Sequence, residues 1–96
     1  MIDACVNIDG RNCLLTMDGH ATGSEVVCAG ASAIVYALAG YLANADCVHE
    51  SDLESGKAKV SCTGDEGVQA AFRMAGIGLA QLAQQYPQYI KAVYIV

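Results

Sequence analysis

From Val26 to Ala45 the chain runs for twenty residues without a charged side chain, and any fold it adopts must house that stretch. By length alone the run is long enough to span a bilayer. Its make-up argues against that. Ala, Gly and Ser outnumber Leu and Ile, and the flanks are Glu25 and Asp46 in place of the Lys or Arg anchors of a spanning helix. The expectation is a buried helix in a small soluble domain, with no membrane partner. A chain of 96 residues has material for one core, so residues 1–96 are read as a single domain and a second independent unit is excluded.

The flanking sequence says what that helix packs on. Ile2, Ala4, Val6 and Ile8 alternate with Asp3, Cys5, Asn7 and Asp9, the period of a half-buried strand. Asp9-Gly10 signals a turn, and Cys13, Leu15 and Met17 alternate on the way back. An even-length loop puts Cys13 on the Val6/Ile8 face and Cys5 on the other, which disfavours a bridge between them. The turn-rich Gly19–Ser24 follows, with Thr22 or Ser24 as N-cap, and a helix is expected from about Glu25 to Asn44. Its apolar stripe is Val27, Ala31, Ile34, Val35, Leu38 and Leu42. Gly30, Ala33, Ala37 and Gly40 form a second stripe of small residues, which suggests close approach of another backbone.

A second hairpin is expected from Asp46–Glu50 and Lys57–Cys62, joined by a polar loop over Ser51–Gly56. Thr63-Gly64-Asp65-Glu66 reads as a capping box opening a second helix. That helix keeps its spacing through Val68, Phe72, Ala75, Leu79 and Leu82, with Gly76 and Gly78 suggesting tight packing against the first helix, and ends at Pro87. Tyr89–Val96 is β-branched and aromatic enough for a last strand, at a sheet edge or a subunit contact. The fold class is therefore α+β: a two-layer sandwich, two helices on one face of a mostly antiparallel sheet, in the order ββαββαβ.

Composition narrows the function. Hydrophobic residues make up 54% of the chain and charged ones 16%, which excludes disorder. Five Lys+Arg against ten Asp+Glu leave a net charge of −5, so no direct nucleic-acid partner is expected and a basic one is favoured. The opening Met-Ile-Asp-Ala has neither the basic nor the apolar region of a secretory signal. Cytoplasmic localisation follows as an expectation, with the five cysteines read as free thiols.

One of those thiols stands apart. Cys28 falls within the first turn or so of the first helix, eight residues after His20. A helix N-terminus carries partial positive charge and unpaired N–H groups, which favour thiolate over thiol. A neighbouring imidazole can take the proton, and the same amides can donate to an oxyanion. Nucleophile, base and oxyanion donors are what a cysteine hydrolase needs. The other cysteines lie in the hairpins, where no helix dipole acts, and His49 is expected as an exposed strand residue. The blander alternative is that Cys28 is a packing residue and His20 a polar cap. A zinc site drawn from Cys13, His20, Cys28 and Cys47 or His49 matches no common ligand spacing, and no phosphate-binding glycine loop precedes the helix, so no metal and no cofactor is expected.

Gly19-His20-Ala21, a short gap, then Val26-Val27-Cys28-Ala29-Gly30-Ala31-Ser32-Ala33 resembles the signature of the ribosomal-processing cysteine protease family, Prp. Leu82-Ala83-Gln84-Gln85-Tyr86-Pro87-Gln88-Tyr89-Ile90-Lys91 is similar to the family's end, and element order and length agree. The resemblance implies a bacterial, homodimeric endopeptidase that removes a short N-terminal extension from a large-subunit ribosomal protein. It makes Cys28 the nucleophile and His20 the base, with Ser32 as support. Glu25 stands where the family usually has Asp, and is expected to orient His20 or to meet a basic substrate residue. The segment between His20 and Cys28 is shorter than in the family, and Ala21, Thr22, Gly23 and Ser24 are what remains of its substrate-binding loop. That shortening also admits another bacterial or phage protein as substrate. The rival reading on the same fold is a non-catalytic homodimeric binding or ribosome-assembly module.

Overall fold

A computed structural model describes residues 1–45 and 47–95. Seven elements follow in the order β1 (Ile2–Asp9), β2 (Asn12–Asp18), α1 (Glu25–Asn44), β3 (Val48–Glu54), β4 (Lys57–Thr63), α2 (Glu66–Gln85) and β5 (Ile90–Ile95). The expected Asp46 start of the second hairpin and Val96 end of the last strand lie outside the described residues. The five strands form one sheet in the order β3-β4-β2-β1-β5, antiparallel except for β1 against β5. This is the expected α+β sandwich.

Register follows from the alternation. Asp9 pairs with Asn12, leaving Gly10-Arg11 as a two-residue turn with Gly10 at φ 59°. Ile8 therefore faces Cys13, and Val6 faces Leu15, all buried. Cys5, opposite Thr16, points to the other side of the sheet. The helix-facing side is completed by Ala58, Val60 and Cys62 of β4 and Ile90 of β5. Across the other face Glu54, Lys57, Asp18, Asp3 and Lys91 stand in one row, mixing signs on neighbouring strands.

The second hairpin differs from expectation. Its strands reach the turn: Glu54 pairs with Lys57, and only Ser55-Gly56 lies between them. The stretch Ser51–Glu54 is therefore strand, not loop. It shows no apolar alternation because β3 is an edge strand largely exposed on both sides. His49 is half-buried on the helix-facing side opposite Cys62, not fully exposed.

The helices bury one stripe each. Val27, Ala31, Val35, Leu38 and Leu42 do so in α1, and Val68, Phe72, Ala75, Gly76 and Leu79 in α2. At the two glycines of the α1 small-residue stripe no second backbone comes close. Gly30 meets only the end of Leu82 at 3.5 Å, and Gly40 faces open space. Gly78 does pack against Ile34 of α1, but Gly76 lies on the ring of Tyr94 in β5. The capping box is also displaced. Thr63 stays in the ladder, donating its hydroxyl to Asn12 Oδ1 at 2.9 Å. Gly64 is held by Arg11, whose carbonyl accepts its N–H at 3.0 Å. The helix therefore begins only after Asp65, whose carboxylate caps the Val68 N–H at 3.1 Å.

Candidate active site

The site is built where β2 hands over to α1. After Asp18 the chain turns at Gly19, φ 97°, where a side chain would collide with the Met1 carbonyl. The Gly19 N–H donates to the Gly56 carbonyl at 2.8 Å, tying the end of β2 to the β3–β4 turn. His20 follows, exposed, with its ring against Gly56. Ala21–Ser24 is a closed β-turn: the Ser24 N–H donates to the Ala21 carbonyl at 2.9 Å. Gly23, third in that turn, takes φ 93°, as a type II turn requires. Ala21 is buried and anchors the segment, so of this short loop Thr22 and Gly23 are the residues turned outward.

Ser24 then caps α1, its hydroxyl accepting the Val27 N–H at 3.3 Å. The Cys28 N–H reaches the Ser24 carbonyl, also at 3.3 Å, so it is already used within the helix. By helix geometry the N–H groups of Glu25 and Val26 are the ones left without an intrahelical acceptor. The Cys28 side chain is half-buried, and its thiol donates to the Ala21 carbonyl at 3.8 Å.

Cys28 lies between two hollows. The first, about 340 Å³, holds His20, Cys28 and Ser32 over an apolar floor that includes Ile2, Met17 and Val35. The β3–β4 turn, Glu54 to Lys57, forms its rim. The second, about 700 Å³, lies at the tip of α1 and is lined by Ala21, Gly23, Ser24, Glu25, Val26 and Cys28. The structure thus brings His20, Cys28 and Ser32 together, with Ser32 one turn along the helix from the thiol. It places Glu25 with Cys28 at the helix tip, and not in the cleft that His20 shares. Sequence reasoning missed the rim, because the pairing that carries Glu54–Lys57 to this cleft is long-range.

The remaining thiols lie elsewhere. Along β2, Cys13 is four residues from Met17, about 13 Å at the rise of an extended strand. Cys13 pairs with Cys62 across β2 and β4. Burial pushes the Cys62 thiol up to about 11, helped by a hydrogen bond with Cys47. Burial also raises Cys13, against a smaller opposing pull from Arg73. A hollow of about 500 Å³ reaches Cys13 and Cys62, but these thiols stay protonated near neutral pH. All five cysteines are free. Among the described residues no three His, Cys, Asp or Glu side chains are placed to hold a metal ion.

The model of the family described as cysteine protease Prp matches residues 1–91. The fold is that of the essential ribosomal processing protease Prp from S. aureus, solved with a covalently linked product peptide. The TM-score is 0.83 at 21% identity, over 98% of this chain and 99% of that one. The same S. aureus protein with a substrate peptide gives a TM-score of 0.80 at 20% identity, over 98% and 99%. SMU.848 from Streptococcus mutans gives 0.77 at 25% identity, over 100% and 96%. Among curated proteins none matches the sequence significantly.

Proposed function

The chain belongs to the cysteine protease Prp family, and from that premise we propose that it is an endopeptidase in which Cys28 is the nucleophile and His20 the base. The observation that carries this reading is the shared cleft: the thiol at the start of α1 and the imidazole at the end of β2 open into one hollow. His20 takes the thiol proton, and the thiolate attacks the scissile carbonyl carbon. The oxyanion that forms is met by the N–H groups of Glu25 and Val26 in the adjoining hollow. The imidazolium gives its proton to the leaving amine, leaving a thioester. His20 then takes a proton from water, the hydroxide adds to the thioester, and the acid product departs as the thiolate returns. For the first transfer the thiol exchanges its bond to Ala21 for one to His20, a tightening common when substrate fills a free site. Ser32 supports the cleft wall, and Thr22 and Gly23 meet the substrate.

The substrate in this reading is a basic N-terminal extension of a large-subunit ribosomal protein. Glu25 at the helix tip gives the second hollow an acidic border, and the chain's net charge of −5 suits such a peptide. Free thiols fit a cytoplasmic enzyme of a bacterial cell. A homodimer is part of the same proposal. After Glu25 the outward side of α1 carries no charge, and Tyr36, Tyr41, Met74 and Ile77 stand exposed. A second copy brings an equally uncharged face to cover it.

The test is incubation with a large-subunit ribosomal protein that still carries its extension, followed by mass spectrometry of the products. The parent protein shortens it, Cys28→Ala leaves it intact, and Cys13→Ala and Cys47→Ala cleave as the parent does. Cleavage retained in Cys28→Ala refutes the mechanism.

A further inference from the structure

The imidazole of His20 rests on a residue with no side chain. A Cβ built on Gly56 would run into His20 Nε2, with Cε1 at 3.0 Å and Cδ2 at 3.2 Å. Gly56 takes φ 76° at the second position of the two-residue β3–β4 turn, and its carbonyl accepts the Gly19 N–H at 2.8 Å. The same residue thus fixes the backbone just before His20 and provides the surface on which the ring lies. Glu54, Ser55 and Lys57 of this turn line the cleft beside His20 and Cys28.

We propose that Gly56 is a positioning residue for the reaction: its bare Cα is the seat that aims the His20 imidazole into the cleft at Cys28, so that any side chain at position 56 lifts the ring away from the thiol. The inference rests on the protease reading and adds to it a structural element, the β3–β4 turn, distant in sequence from both reacting groups. Two features make the seat specific. The contacts are the outer ring atoms of an exposed histidine, so an added Cβ is relieved by the imidazole swinging off Gly56, which is the displacement that takes it from the thiol. The Gly19–Gly56 hydrogen bond also holds the backbone of His20 on the same turn, which limits how far the residue can retreat as a whole. Misplacement of a reacting group by about 1 Å can cost about a hundredfold in rate.

The experiment compares Gly56→Ala with Gly10→Ala. Both put a Cβ on a left-handed turn glycine, but Gly10, φ 59°, has nothing within 4 Å of the added atom. Backbone strain is thus common to both variants, and contact with His20 belongs to one. Gly56→Asn is the second probe, because Asn tolerates left-handed backbone and still brings a Cβ, so the turn survives if Gly56→Ala fails to fold. Three readouts are taken: the NMR titration of His20, the pH profile of Cys28 alkylation by iodoacetamide followed on its own peptide, and kcat and KM for cleavage. Expected are similar losses of melting temperature in Gly10→Ala and Gly56→Ala. A changed His20 titration, an altered low-pH limb of Cys28 alkylation and a fall in kcat of about a hundredfold are expected only in the position-56 variants. Folded position-56 variants with the parent's His20 titration, alkylation profile and kcat overturn the proposal. Failure of the protease reading has a different signature: the parent itself lacks both cleavage and a Cys28 limb below the free-thiol range, while the His20 titration still reports whether Gly56 seats the ring.

Discussion

Replacing glycine by alanine should stabilise the fold at one position of α1 and fail to do so at one position of α2. In a helix interior the exchange gains about 0.8–1 kcal/mol from propensity alone. Gly40 in α1 is exposed and a Cβ there meets nothing within 4 Å, so Gly40→Ala should realise that gain in full. In a domain of this size 1 kcal/mol moves the melting temperature by about 4–8 °C. Gly76 in α2 is buried, and its added Cβ would come within 2.6 Å of Tyr94 Cδ1 and 3.0 Å of both Cε1 and Cγ. Cγ sits next to the strand backbone, so the ring cannot yield by rotating its far end. Overpacking of this kind costs about 1–3 kcal/mol, enough to cancel or reverse the propensity gain. Gly76→Ala should therefore leave stability unchanged or lower it by up to about 2 kcal/mol. The assay is urea and thermal unfolding of Gly40→Ala, Gly76→Ala, Tyr94→Ala and the Gly76→Ala/Tyr94→Ala pair. With the ring removed, Gly76→Ala should stabilise, giving a coupling of about 1–3 kcal/mol between positions 76 and 94. If Gly76→Ala raises the melting temperature as much as Gly40→Ala does, the packing of Tyr94 on α2 is wrong.

Two further outcomes follow from the buried thiols and the outward helix face. Cys62 has an ordinary value of 9.0 and about 11 in the fold, so the folded state holds its proton more tightly than the unfolded chain. The stability this gives is complete below pH 9.0 and is lost as pH rises to about 11. The loss is up to about 1.4 kcal/mol per pH unit. Denaturant titrations at pH 8 and pH 10.5 of the parent and Cys62→Ala check it, and an equal pH slope in the two proteins removes the assignment. The proposed homodimer should sediment at twice the 10.0 kDa of the chain, and Tyr36→Glu together with Met74→Glu should return it to the monomer mass with the fold intact. A monomer in the parent protein refutes the pairing.

What the sequence disclosed and what it withheld divide along the range of the interactions involved. The first hairpin and α1 were legible because their signals are local. Alternation sets the faces of Val6, Leu15 and Cys13, and Thr22 or Ser24 before Glu25 marks the helix start, Ser24 being the cap found. The juxtaposition of His20 and Cys28 is legible for the same reason, since a closed four-residue turn is all that separates His20 from the helix start. Glycines are where local reading failed, because a glycine reports that something is close without reporting what. Gly76 suggests close approach of the first helix but admits Tyr94, eighteen residues on, and Gly40 has nothing against it. The sequence places Gly56 in a polar loop, since neither its positive φ nor its neighbour is written near it. Its neighbour is His20, thirty-six residues back, brought there by β2 pairing with β4. The placement of Cys28 and its helix is thus set by sequence-local physics, while the aim of His20, the proposed base, depends on sheet register. A change that slips β4 by one residue against β2 would put Lys57 on the helix-facing side and withdraw Gly56 from the ring. Such a change would leave the His–Cys motif intact and disable the cleft.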